Sequence, residues 1–306
     1  MNPPAKHSLT FAGLLIALTG AILFSTKAII VKKTFASTGV DAVSLLTLRM
    51  AFSLPFYLGA AWFISSRTGN VKLTRRQWLL TILTGLTGYY VSSLTDFIGL
   101  QYISAGLERL ILFLYPTFAV LLNRFLFGQA VSRSQWIALL LTYIGIGLAL
   151  SGEVRINAAD GNLWWGSFWV LLCAITFAFY IVGSGRIIPS VGAVKFTAYA
   201  MLSASIGVFL HFLLAGNPSQ LVEAKGLLPY GFLLAVVATV APSFLVSAAM
   251  KRIGSNNVAI VSSIGPVSTI LQAHWFLGER IFAEQVAGTL LVIVGVLLLS
   301  WKNAKN

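Results

Sequence analysis

The chain has 306 residues, 58% of them hydrophobic and only 9% charged, with a formal net charge of +13 and a mean hydropathy of +0.87. That composition excludes an ordinary soluble domain and places the chain in lipid. A charge of +13 would also suit a nucleic-acid binder, so where the charge falls decides its meaning.

Ten apolar spans follow one another: Leu9–Val31, Ala42–Ser65, Gln77–Leu100, Ile103–Phe125, Ser134–Leu150, Trp164–Gly185, Val194–Leu214, Leu227–Met250, Ser255–Leu277 and Phe282–Trp301. Each is close to the roughly 20 residues that carry a helix across about 30 Å of hydrocarbon. The alternating strands of a membrane barrel are absent. Lys6 alone precedes the first span and no small-residue cleavage pattern follows it, so the span is expected to be retained. The loops are short and leave no soluble domain to carry a separate activity.

With the N-terminus in the cytoplasm, Lys6, Arg67, Lys72, Arg75, Arg76, Arg124, Arg133, Arg186, Lys195, Lys251, Arg252, Lys302 and Lys305 fall inside. Only Lys32, Lys33, Arg155, Lys225 and Arg280 fall outside, together with Asp41, Glu153, Asp160, Glu223, Glu279 and Glu284. This obeys the positive-inside rule and predicts a multi-pass protein of the cytoplasmic (inner) membrane with both termini in the cytoplasm. The basicity is topological and predicts no nucleic-acid partner. The lone Cys173 excludes an internal disulfide, and His7, His211 and His274 lack ligand spacing. No metal and no cofactor is expected.

The spans repeat. Ile103–Gly145 aligns with Ile253–Gly295 at a shift of 150, placing Pro116 on Pro266, Gly128 on Gly278, Gln135 on Gln285 and Gly145 on Gly295. Weaker matches at nearby shifts extend the repeat: Ala21–Phe24 on Ala174–Phe177, and Met50 on Met201. The expected organisation is a first five-helix unit over 1–151, an extracytoplasmic linker over 152–162 and a second unit over 163–306. An odd number of spans per unit forces the second to enter the membrane inverted. Two inverted halves about a shared midplane are a common plan of secondary transporters. In the fifth and tenth spans, Ala138 and Gly145 match Gly288 and Gly295, small residues seven apart that permit close helix packing in lipid. That packing serves either a monomer or a homodimer joined through these two helices.

Tyr115–Phe118, then Gly128 and a glycine-rich fifth span, together with Arg252-Ile253-Gly254, Gly265-Pro266 and Leu277-Gly278-Glu279-Arg280, resemble the EamA-type repeat of the drug/metabolite transporter superfamily. The first half departs from the pattern, with Gly128-Gln129-Ala130 in place of the Gly-Glu-Arg form. The resemblance covers nearly the whole chain. It implies an all-α integral membrane protein, ten transmembrane helices arranged as two inverted five-helix repeats, acting as a carrier. Amino-acid exporters of the YddG type are similar in size and layout, which makes amino acids the first substrates to consider. The superfamily also handles drugs, other metabolites and sugar nucleotides.

Ionisable side chains inside spans each cost about 2.5–3.5 kcal/mol on insertion scales, so they should face the bundle interior or water. Here they are Lys27, Arg49, Asp96, Glu108 and Arg109, all in the first unit and all in its outer half. They are candidates for a gate or for ion coupling; the alternative is a network that holds the first four helices together. The third span carries Gly85, Tyr89, Ser92, Ser93 and Asp96 on one helical face. Tyr89 maps to Thr239 and Ser93 to Ser243, so both halves are polar at equivalent sites, as positions facing a pseudo-two-fold axis would be. The alternative is hydroxyls satisfied by their own backbone.

Candidate substrate contacts are therefore Phe24, Tyr89, Ser93, Phe113, Tyr180, Ser243 and Ser263, with Ser262 and Gln272 as further polar contacts and Tyr115, Trp169 and Phe177 as further aromatic ones. Pro116, Pro242 and Pro266 each free a backbone carbonyl and are candidate hinges; the alternative is a static bend. The expected activity is export of a neutral or zwitterionic metabolite, with the lipid bilayer and the substrate as partners. Against an intramembrane lipid enzyme, neither a His-Glu-x-x-His nor a Gly-x-Ser-x-Gly motif occurs, and Asp96 and Glu108, which could act as acid and base, have no nucleophile or metal to accompany them. A channel would favour pore-lining polar residues and oligomeric symmetry.

Overall fold

The structure is a computed structural model that describes residues 10–66, 72–128, 130–157, 162–223, 226–253, 258, 261–262 and 264–303. Among these residues the chain is helical and contains no strand. Ser263, and parts of the expected linker and ninth span, lie outside the described residues.

Helices begin and end where side chains satisfy the terminal backbone groups. Thr10 opens α1 (Phe11–Thr38) by accepting from Gly13 N at 3.2 Å, and Gly39 closes it in the left-handed region at φ 66°. Asp41 opens α2 (Ala42–Ser65) by accepting from Ser44 N at 2.8 Å. A capping box of Thr74 and Gln77 opens α3 (Arg75–Gly85). α3 then passes without a break through a π-helical turn, Leu86–Val91, into α4 (Ser92–Leu100). Two shorter helices follow, α5 (Ala105–Leu112) and α6 (Tyr115–Phe127), separated at Phe113–Leu114. The first unit closes with α7 (Arg133–Asn157).

The second unit comprises α8 (Asn162–Val191), α9 (Ala193–Ala215), the short α10 (Pro218–Glu223) and α11 (Leu227–Ala235). A second π turn, Val236–Val240, leads into α12 (Ala241–Ile253); α13 (Gly265–Leu277) and α14 (Ala283–Asn303) complete it. The two π turns begin 150 residues apart, as do α6 and α13. Gly128 and Gly278 end those helices in the left-handed region at φ 65° and 69°.

By length and composition, seven described helical stretches suffice to cross a membrane: Phe11–Thr38, Ala42–Ser65, Ala105–Phe127, Gln135–Val154, Asn162–Val191, Ala193–Ala215 and Leu227–Val246; Ala283–Leu298 is a shorter apolar helix. The expected third span falls short of them because Thr81, Thr84, Ser92, Ser93, Thr95 and Asp96 dilute its hydropathy. All six are buried, so this polarity faces protein rather than lipid.

The packing crosses between units. α1 packs on α12 and α13, while α8, the first helix of the second unit, packs on α4 and α6. α2 packs on α9, and α7 on α14. In the last pair the small residues are consumed: Gly145 abuts the Gly288 carbonyl and Gly295 lies against the Ala138 carbonyl, where a Cβ on either glycine would collide. One apolar core runs through α1, α2, α4, α9 and α11, centred on Leu45, Met50, Phe97, Met201 and Leu234. A second joins α5, α7, α8 and α14 around Leu107, Leu110, Val170 and Val292.

Candidate functional site

A cavity of about 260 Å³ lies at the junction of the two units. The first unit contributes Ala21, Phe24 and Lys27 from α1, Arg49 from α2, Gly88 and Tyr89 from the π turn, Ser92 and Ser93 from α4, and Arg109, Leu112, Phe113 and Tyr115 from the broken α5–α6 helix. The second unit contributes Cys173, Phe177 and Ile181 from α8, together with Ala238, Val246 and Ser262. Tyr89 lies in the π turn, Ser92 and Ser93 follow on α4, and all three reach the cavity.

Of the substrate contacts expected from sequence, Phe24, Tyr89, Ser93 and Phe113 line this cavity. Tyr180 lies one layer back, its hydroxyl 2.9 Å from that of Tyr89 with the rings edge to face. It can sit there because position 88 is glycine: a Cβ on Gly88 would overlap the Tyr180 ring. Ser243 is turned to the Tyr57 hydroxyl at 3.0 Å. Gln272 bonds to Ser268 Oγ at 2.9 Å. Leu112, Ile181, Ala238 and Val246 escaped the sequence reading because nothing distinguishes an apolar residue facing a cavity from one facing lipid.

The five ionisable residues inside the spans gather beside the cavity. Lys27 Nζ is 2.6 Å from Asp96 Oδ2 and 3.7 Å from Glu108 Oε1, and both carboxylates are fully buried. Arg49 is buried as well, with Nε donating to Thr239 Oγ1 at 2.9 Å and Nη1 to Ser93 Oγ at 2.9 Å, so it ties the first unit to the second through neutral hydroxyls. Its guanidinium lies 5.7 Å from the centre of the Phe97 ring. Arg109 stands 5.5 Å from the Phe113 ring centre, and its buried Nε has no hydrogen-bond partner among the described residues. A Cβ on Gly265 would come within 2.8 Å of Arg109 Nη2, so glycine there makes room for the guanidinium.

Farther along α1 lies a second polar layer. Lys32 is about 12 Å beyond Phe24 at helical rise. Its Nζ donates to Ile103 O at 2.5 Å and lies 3.9 Å from Glu279 Oε1. Glu279 in turn accepts from Ala105 N at 2.9 Å and Gly106 N at 3.3 Å, holding the first turn of α5, where a carboxylate also complements the helix dipole. Ser104, the N-cap of α5, donates to Glu153. Lys27 with its carboxylates and Lys32 with Glu279 thus form two successive charged layers between the cavity and one end of the bundle.

Pro116 and Pro266 are each the second residue of their helices, directly after a break in the chain's helical run. A missing N–H is harmless there because the first turn has no intrahelical partner for it. Pro242 likewise follows the second π turn, whose wider winding accommodates the lost bond. Among the described residues no cluster of His, Cys, Asp and Glu could hold a metal ion.

A multi-pass helical bundle with a polar, charged cavity between two repeated units defines a membrane transport protein. The pattern of the EamA-like transporter family matches residues 11–151 and again 164–301, and the chain belongs to that family, within the drug/metabolite transporter superfamily. It is 29% identical over 302 residues to the uncharacterized transporter YcbK of Bacillus subtilis, covering 96% of each chain. It is 21% identical over 301 residues to the uncharacterized inner membrane transporter YicL of Salmonella typhimurium, covering 97% of this chain and 98% of the relative. A solved crystal structure superimposes with a TM-score of 0.63 at 18% identity over 96% of this chain and 99% of its own, a likeness of fold.

Proposed function

We propose that the chain is a secondary exporter of small metabolites, amino acids first and neutral or aromatic ones among them, working by alternating access across the cytoplasmic membrane. The cavity shared by the two units carries this reading. At about 260 Å³ it falls below the roughly 300–1,000 Å³ of drug-sized sites, which favours a small metabolite over a bulky drug. Its mixture of Phe24, Phe113 and Phe177 with Tyr89, Ser92 and Ser93 suits a molecule with an apolar side chain and a polar head. Export of a drug or of another metabolite class by the same fold is the second reading, and the breadth of the superfamily supports it.

In this proposal the chain spans the membrane ten times as two inverted units, with both termini in the cytoplasm. The 150-residue spacing of the π turns and of α6 and α13 supports the repeat, and so does the crossed packing of α1 and α8. The end that carries Glu153 and Glu279 is then the outer face. Lys27, Asp96 and Glu108, backed by Lys32 and Glu279, form the outer gate, whose ion pairs must part for the cavity to open outward. Asp96 and Glu108 are also where a proton would couple to transport. Arg49 and Arg109 flank this gate, and the breaks before Pro116 and Pro266 and the π turn before Pro242 serve as hinges. The chain works as a monomer or as a homodimer joined through the faces of α7 and α14 left over from their packing on each other.

The test is counterflow into proteoliposomes preloaded with mixed amino acids, with and without a pH gradient. Saturable exchange that a pH gradient alters is the expected result for a coupled carrier, and exchange indifferent to it identifies a facilitator. Flux without saturation would mean a channel. Correctly inserted protein that exchanges no amino acid would transfer the proposal to drugs or other metabolites.

A further inference from the structure

We infer that the transported molecule carries a carboxylate and that Arg109 is its anchor. The inference rests on the transporter reading above and narrows its substrate to a chemical class. It starts from a charge imbalance. Three cations, Lys27, Arg49 and Arg109, face the cavity, and no carboxylate does so among the described residues. The chain has only eight acidic residues; of these, Asp96 and Glu108 alone fall within the apolar spans beside the cavity, and both contact Lys27. Arg49 is engaged by the hydroxyls of Thr239 and Ser93, which take two of its five donors and do not neutralise its charge. Arg109 makes no ion pair within 4.0 Å among the described residues, and its buried Nε is unpartnered.

Arg109 feels the carboxylates of Asp96 and Glu108 at longer range but pairs with neither, and a partly buried cation left so gains when an anion enters and satisfies it. The excess positive charge persists even if Asp96 and Glu108 are both ionised, because two carboxylates face three cations. A proton on either acid only enlarges it. Arg109 is suited to the task because a guanidinium offers paired, parallel donors that match the two oxygens of a carboxylate. Gly265 leaves the space in which that fork lies. The Phe113 ring, its centre 5.5 Å from Cζ, offers the guanidinium a cation–π contact.

The opposite end of the substrate finds a different surface. The cavity offers an ammonium only hydroxyls and aromatic faces, from Tyr89, Ser92, Ser93, Phe24 and Phe177. The carboxylate is therefore required and the amine only tolerated. α-Amino acids satisfy this rule, and so do amine-free monocarboxylates; simple amines and carboxamides do not.

The test needs binding rather than flux. Purified full-length protein in detergent is heated with a panel of monocarboxylates of varied side chain, each paired with its carboxamide. L-Phenylalanine, 3-phenylpropanoate and phenethylamine form one further set. The expected result is a rise in Tm with carboxylates that the matched amides and phenethylamine do not produce. Arg109→Gln should weaken apparent affinity about 10- to 100-fold. Arg109→Lys keeps the charge but not the fork and should fall between the two. A wild-type protein that shows no preference for any carboxylate over its amide overturns the inference, with no variant needed. Full carboxylate binding by folded Arg109→Gln overturns the role of Arg109. Saturable exchange of carboxylate-free analogues would sink the anchor and leave the exporter standing. Carboxylate binding without saturable exchange would do the reverse.

Discussion

The π turn Leu86–Val91 in the first unit and Val236–Val240 in the second begin 150 residues apart, yet they serve the cavity differently. The first presents Tyr89 to the cavity, followed by Ser92 and Ser93 on α4. The second presents only Ala238, while Thr239 turns aside to hold Arg49. At position 88 a glycine admits the Tyr180 ring, whereas its counterpart Ala238 needs no such room. The five ionisable residues within the spans also belong to the first unit alone. At these matched positions the chemistry therefore differs: Tyr89, Ser92 and Ser93 line the cavity on one side, while on the other Ala238 lines it and the Thr239 hydroxyl holds Arg49. Symmetry of backbone is compatible with strong asymmetry of chemistry.

The most severe way to break this asymmetry is to remove Lys27. Lys27→Met leaves two buried carboxylates without the ammonium they contact, and should cost about 3–5 kcal/mol in thermal unfolding of the detergent-solubilised protein. Adding Asp96→Asn to that variant should recover part of the loss; no recovery would show that Lys27 acts independently of the acids. Next is Arg49→Leu, which cuts the bonds to Thr239 and Ser93 and should cost about 1.5–3 kcal/mol. The same substitution in a Thr239→Val background should cost less, since one bond is already gone.

A sharper comparison pairs Gly88→Ala with Ala238→Gly. The first forces a methyl into the Tyr180 ring and should destabilise by about 1–3 kcal/mol. The second only loosens a helix, by about 0.5–1 kcal/mol. Gly59→Ala, where a Cβ would meet nothing within 4 Å, is the control. The smallest effect is expected from Glu279→Ala, which removes the acceptor for Ala105 and Gly106 at the start of α5. A loss of about 0.5–2 kcal/mol, measured in the same unfolding assay, fits a capping role.

The buried charges were legible in the sequence because their cost in an apolar span is high enough to demand partners. That reasoning puts Lys27, Arg49, Asp96, Glu108 and Arg109 in one network; the structure pairs Lys27 with Asp96 and Glu108, whereas Arg49 meets the hydroxyls of Thr239 and Ser93 and Arg109 makes no ion pair within 4.0 Å among the described residues. The 150-residue shift was legible too, because Gly128 and Gly278 must end helices in a conformation that glycine favours. The π turns were not: Leu86–Val91 and Val236–Val240 are ordinary residues in helical runs, and only tertiary packing reveals the extra residue per turn. The prolines were visible, but their place was not. Pro116 and Pro266 read as kinks inside spans, whereas each sits one residue into a new helix after a break. The Glu279 contact with Ala105 could not be read either, since it joins residues 174 apart.

Cys173 is the chain's single cysteine, and it lines the cavity with its sulfur 3.2 Å from Ser92 Oγ. The protein is thus already one substitution short of a thiol-free background. With Cys173→Ser in place, a new cysteine introduced at any chosen position would be the only thiol a maleimide reporter could find. Distances between spin labels, or the accessibility of single sites to a membrane-impermeant reagent, can then be recorded on an otherwise native sequence. Left in place, Cys173 is a buried native thiol beside the cavity, hydrogen-bonded to Ser92.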